Sequence, residues 1–147
     1  MAKSGDLEAN IHLLVVDDQP PVAGILASAL EGEGHVVRTA ESGEEALRLM
    51  EQALPDAVFL DIVMPGMDGI ELLRRIRRLY GELPVVVLSG WATDEQLRIA
   101  VELSVADIVH KPDVLKNLPE ALAQIEARRT DARRPSDGRT SQTPKAR

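Results

Sequence analysis

Five short strand-like runs, four of them apolar, alternate with helix-patterned segments along this chain, and those four end in a side chain suited to chemistry. Residues 11–16 lead to Asp17 and Asp18, 57–60 to Asp61, 85–88 to Ser89, and 108–110 to Lys111; the remaining run, 35–39, has no such ending. Near-continuous Val, Leu and Ile over so few residues marks strands buried on both faces, which parallel sheets require. In open α/β sheets, sites form at the carboxyl edge of the strands. Four such ends meeting in one cleft would gather three carboxylates, a hydroxyl and an ammonium. That inventory suits a divalent cation and a phosphoryl group.

The segments between the runs read as helices. From about residue 21, Val22, Ile25, Leu26, Ala29 and Leu30 fall at helical spacing, and Gly32 and Gly34 end the pattern. Ser42 and Glu45 have capping-box spacing before a helix to about 52, and Thr93 and Gln96 repeat it before a helix to about 103. Residues 69–79 place Ile70, Leu73, Ile76 and Leu79 as the apolar stripe, with Arg74, Arg75, Arg77 and Arg78 mostly elsewhere. Pro119 is tolerated in a first turn, so the last helix starts with Asn117 or Leu118 as its cap and runs to about 129. The expected organisation is a tail at 1–9, one domain at 10–129, and a disordered basic tail at 130–147. Five strands and five helices predict an α/β fold, a doubly wound parallel sheet of order 2-1-3-4-5 in a flavodoxin-like three-layer sandwich. Its switch point lies between the first and third strands, beside Asp17, Asp18 and Asp61.

Composition excludes several functions. Aromatic residues number three, Phe59, Tyr80 and Trp91, which leaves few rings for stacking nucleic-acid bases. The chain has no cysteine, so disulfides, thiolate catalysis and cysteine-held zinc are out. The first ten residues are polar and no apolar run has the length of a membrane span, so a soluble cytoplasmic protein without membrane association is expected. Net charge is −7, with +5 on the last 21 residues and −12 on the rest. An acidic body with a basic tail speaks against direct DNA binding.

The motifs also match a family. Leu13-Leu14-Val15-Val16-Asp17-Asp18 resembles the opening of response regulator receiver domains of two-component systems. The stretch Phe59-Leu60-Asp61-Ile62-Val63-Met64-Pro65-Gly66-Met67-Asp68-Gly69 resembles that family's phosphorylation segment, and Ser89-Gly90 and Lys111-Pro112 complete the set in order. The resemblance covers residues 10–128 and implies a stand-alone signalling switch rather than an enzyme. It implies that Asp61 accepts a phosphoryl group from a phosphohistidine on a histidine kinase or histidine phosphotransfer protein. It also implies Mg²⁺ held by Asp18, Asp61 and the Val63 carbonyl, with Asp17 acting through water. Lys111 and Ser89 would bind phosphoryl oxygens. Output would pass through an altered surface to a downstream protein target, and a phosphorylation-dependent dimer is left open.

Ile108 stands where many members carry an aromatic ring that rotates on activation, and Asp113 where Phe is common. Val63 and Trp91 stand at positions that line the approach to the phosphoryl group; a valine cannot hold an attacking water and a tryptophan could shield the site, so a long-lived phosphorylated state is expected. Taken singly, Asp17 or Asp18 could be the cap of the first helix, Ser89 a loop serine and Lys111 a surface lysine. A receiver-like binding module that works without phosphorylation is the main alternative. An aspartyl-nucleophile phosphatase of the haloacid dehalogenase type would want an acid two residues after Asp61, where Val63 stands. A flavodoxin-like cofactor binder would want Gly, Ser and Thr in the loop after the first strand, which instead reads Asp17-Asp18-Gln19-Pro20-Pro21.

Overall fold

Alternating side chains of each strand must find two separate apolar layers, and the arrangement of the chain follows from this. The computed structural model describes residues 10–133. Its elements are β1 (His12–Val16), α1 (Pro20–Gly32), β2 (Val36–Ala40), α2 (Gly43–Gln52), β3 (Ala57–Asp61), α3 (Gly69–Tyr80), β4 (Val85–Ser89), α4 (Asp94–Glu102), β5 (Asp107–His110) and α5 (Leu118–Arg133). A 3₁₀ turn, Lys111–Asp113, follows β5. The sheet is parallel throughout, in the order β2-β1-β3-β4-β5.

Leu14, Val16, Val58, Leu60, Val85 and Val87 face one way and pack against α2, α3 and α4 through Ala46, Met50, Leu72, Leu73, Ile76 and Ala100. Leu13, Val15, Phe59, Val86 and Leu88 face the other way and meet Ala23, Leu26 and Leu30 of α1 and Ala121, Leu122 and Ile125 of α5. The sandwich therefore has two aliphatic cores, and β1, β3 and β4 are buried between them.

Several expectations change in detail. Ile25 and Leu79, assigned to apolar stripes, are 57% and 60% exposed. Leu79 stands on nearly the same face of α3 as the buried Leu72, seven residues before it, and is exposed in the last turn, one residue before the helix ends at Tyr80. In α1 the buried stripe is Ala23, Leu26 and Leu30, and Ile25 lies off it. Ser42 does accept from the Glu45 N–H, but the Glu45 carboxylate takes the Glu41 N–H at 2.8 Å rather than closing the box on Ser42. The Thr93–Gln96 box closes fully. α5 starts at Leu118 as expected and continues to Arg133, past the expected end at 129. Thr130, Asp131, Ala132 and Arg133 add no apolar periodicity, and nothing in them stops a helix already formed; the first stop signal is Pro135. The expected tails at 1–9 and, for the rest of the C-terminal stretch, 134–147 lie outside the described residues. Among the described residues no helix is long and apolar enough to cross a membrane.

Arg77, placed off the apolar stripe with the other arginines, is a staple. Its guanidinium donates to the Leu103, Leu83, Gly81 and Ser104 carbonyls at 2.7–3.2 Å, fastening the end of α3 to the loop after α4.

Candidate functional site

β1 and β3 are neighbours in register, with Val16 opposite Leu60, so the residues that follow them leave the sheet side by side. Asp17 is fully buried and Asp61 is 4% exposed. Asp18, half-buried, completes a group in which one oxygen from each of the three carboxylates lies within 4.8 Å of the others. Neither aspartate caps α1. The cap position belongs to Gln19, which makes no side-chain capping bond. Asp17 Oδ1 accepts from the Gln19 N–H at 2.9 Å, and Asp61 Oδ1 from the Val63 N–H at 3.1 Å.

Lys111, just past β5, reaches across the end of β4 into this group. Its ammonium lies 2.9 Å from Asp61 Oδ2, 3.0 Å from Asp17 Oδ2 and 3.0 Å from Gln19 Oε1. The contact with Asp17 Oδ2 is an ion pair by distance but lacks the direction of a hydrogen bond, which leaves this buried oxygen with unused acceptor capacity. Burial pushes the Asp61 carboxyl up from its ordinary value, and the Asp17 charge adds to this. The Lys111 hydrogen bond and charge and the Val63 N–H oppose it, and the net direction is upward. For Lys111, burial is the largest single influence and pulls downward, yet the Asp61 hydrogen bond and the charges of Asp61 and Asp17 together outweigh it and hold the ammonium above its usual value.

Three clustered carboxylates against one ammonium leave an excess of negative charge in a largely dry place. Hard oxygens, one of them buried and under-used, are the donor set a divalent cation such as Mg²⁺ takes. The cluster opens into a cleft of about 890 Å³ between the loops after β1, β3, β4 and β5. Asp18, Asp61 and Lys111 line it beside Val63, Trp91 and His110, while Asp17 lies beneath. Of the residues singled out in the sequence, Asp17, Asp18, Asp61, Val63 and Lys111 are thus brought together. Ser89, half-buried at the end of β4, is not among the lining residues. Trp91 is 90% exposed, so its ring does not cover the cleft. Sequence reading missed Gln19, whose only signal was a polar residue in the loop after the acid pair, and His110, a histidine at the carboxyl end of a parallel strand.

A family model for the response regulator receiver domain matches residues 13–123. The chain belongs to that family. This receiver domain is 39% identical over 102 residues to the nitrogen assimilation regulatory protein NtrX of Azorhizobium caulinodans, a match covering 68% of the chain and 22% of NtrX. It is 41% identical over 106 residues to an uncharacterized 14.6 kDa protein in the sodA1 3′ region of Leptolyngbya boryana, covering 71% of the chain and 81% of that protein. The crystal structure of the receiver domain of NtrX from Brucella abortus matches with a TM-score of 0.69 at 36% identity, covering 78% of the chain and 98% of that one. The fold is therefore the receiver fold, and the chain carries a receiver domain of the two-component type.

Proposed function

We propose that the receiver domain accepts a phosphoryl group on Asp61 from a phosphohistidine of a histidine kinase or histidine phosphotransfer protein. The single observation that carries this is the Lys111 ammonium held on both Asp61 and Asp17 inside the three-carboxylate cluster. An Asp61 oxygen attacks phosphorus, the P–N bond breaks, and its electron pair stays on the leaving imidazole nitrogen. The product is an acyl phosphate, which is labile and suits a reversible signal.

Asp18, Asp61 and the Val63 carbonyl would hold Mg²⁺, with Asp17 joined through a water, and the bound ion supplies charge neutralisation between the carboxylates and the incoming phosphoryl oxygens. Lys111 is already placed to follow an Asp61 oxygen onto the phosphoryl group. Ser89 supplies a hydroxyl to a second phosphoryl oxygen once it turns into the cleft. Phosphoryl transfer asks mainly for this positioning and charge stabilisation. The changed position of Ser89 and of the loop after β4 then alters the surface of α4, β5 and α5 that a downstream protein reads. Val63, an aliphatic side chain 38% exposed at the cleft, offers no hydrogen bond to an attacking water and favours a long-lived phosphorylated state. Loss of the phosphoryl group within seconds of removing the donor would count against that lifetime.

Borohydride reduction of the phosphorylated protein locates the acyl phosphate chemically. Peptide mass should place homoserine at position 61. Homoserine at 17 or 18 instead would reject Asp61 as the acceptor.

A further inference from the structure

His110 stands in the cleft with no role in the chemistry above. It is the last residue of β5, is exposed, and lines the cleft beside Lys111. Its ring Nδ1 lies 3.2 Å from the Ser89 carbonyl oxygen. A carbonyl oxygen can only accept, so the ring nitrogen donates and the imidazole carries its proton on Nδ1. Ser89 and His110 also form the last rung between β4 and β5. Beyond it the chain leaves the sheet through Gly90 and Trp91 toward the Thr93 cap of α4. The imidazole thus holds a backbone carbonyl at the point where β4 stops being held by the ladder.

We infer that His110 is a positioning residue that fixes the Ser89 end of β4 and so sets how readily the Ser89 hydroxyl reaches a phosphoryl group on Asp61. Two neighbouring residues act on the two halves of the site. His110 holds Ser89, and Lys111 holds Asp61 at 2.9 Å. The stem of Lys111 also passes close to the backbone after Ser89, since a Cβ on Gly90 would meet its Cβ and Cδ at 3.7 Å. A shift of the strand end is therefore felt at both. The inference rests on the receiver reading of the site.

The test compares His110→Ala and His110→Asn with wild type in the rate of phosphorylation by acetyl phosphate and Mg²⁺, followed by intact mass. Asparagine keeps an N–H donor near the place of Nδ1. His110→Ala should be slower by about threefold, the modest effect of one exposed hydrogen bond, and His110→Asn should recover the wild-type rate. Both should unfold at the wild-type temperature. In a double-mutant cycle, adding His110→Ala to Ser89→Ala should slow the reaction no further. Nitrogen-15 NMR of the ring should show the proton on Nδ1. A wild-type rate for His110→Ala, full additivity with Ser89→Ala, or a proton on Nε2 would each overturn the inference. If wild type itself takes no phosphoryl group, the proposed acceptance on Asp61 fails and this role falls with it. Wild-type acceptance with His110→Ala unaffected removes only the role of His110.

Discussion

The two sides of the cleft differ in how finished they are. On the side of β1 and β3, Asp17, Asp18 and Asp61 are already gathered, and Lys111 spans two of them at 2.9–3.0 Å. On the side of β4, Ser89 does not line the cleft and Trp91 stands 90% exposed. Charge is expensive to rearrange in a dry place, so the charged half is built into the ends of buried strands. A hydroxyl and a loop are cheap to move, and they sit where a ligand can shift them. The difference separates the chemistry of acceptance from the part of the molecule that can report it.

The largest effect should come from breaking the charged side. Lys111→Ala should slow phosphorylation by about 100-fold, as expected for removing one preorganised positive group from a transferring phosphoryl, measured as the initial rate of mass increase. Gly69→Ala should disturb the same side through the fold. A Cβ there would collide with the Ile62 backbone, whose carbonyl accepts the Gly69 N–H at 3.1 Å. The loop carrying Val63 must then move, at a cost of about 1–3 kcal/mol, read as a lowered unfolding temperature. Ser89→Ala should be milder, slowing phosphorylation by about tenfold and leaving Mg²⁺ affinity as in wild type. A loss of Mg²⁺ affinity in that variant would erase the distinction between the two sides.

The smallest effect lies away from the cleft. His35 is buried, and its Nδ1 accepts from the Ile11 N–H at 3.3 Å. Burial holds its imidazole below the ordinary value, against a weaker upward pull from Glu33. The unfolded chain therefore takes up this proton first as pH falls. This contribution to stability is complete above about pH 6.5, declines as pH drops toward the depressed folded value, and levels off below it. Unfolding temperatures of wild type and His35→Gln between pH 8 and 5 should converge toward the acid end. A gap that widens there would reverse the assignment.

The sheet was legible because four of its five strands are short apolar runs with a polar end, and the doubly wound order followed from alternation and handedness. The acid side of the site was legible for the same reason, since Asp17 and Asp61 follow directly on paired strands. Sequence was less informative at helix ends. Leu79 sits at regular apolar spacing, but its place in the last turn of α3 leaves it in solvent. Arg77 stood off the apolar stripe with the other arginines, and only the folded chain shows the carbonyls that surround it. The link from His110 to Ser89 depends on the register of β4 and β5, which the motifs do not encode.

The most direct measurement is the intact mass of wild type and Asp61→Asn after incubation with acetyl phosphate, in Mg²⁺ and in chelator. A receiver whose acid side is ready for transfer should gain one phosphoryl group in wild type with Mg²⁺, and none in chelator or in Asp61→Asn. A gain that persists in Asp61→Asn, or that ignores Mg²⁺, would contradict this account of the cleft.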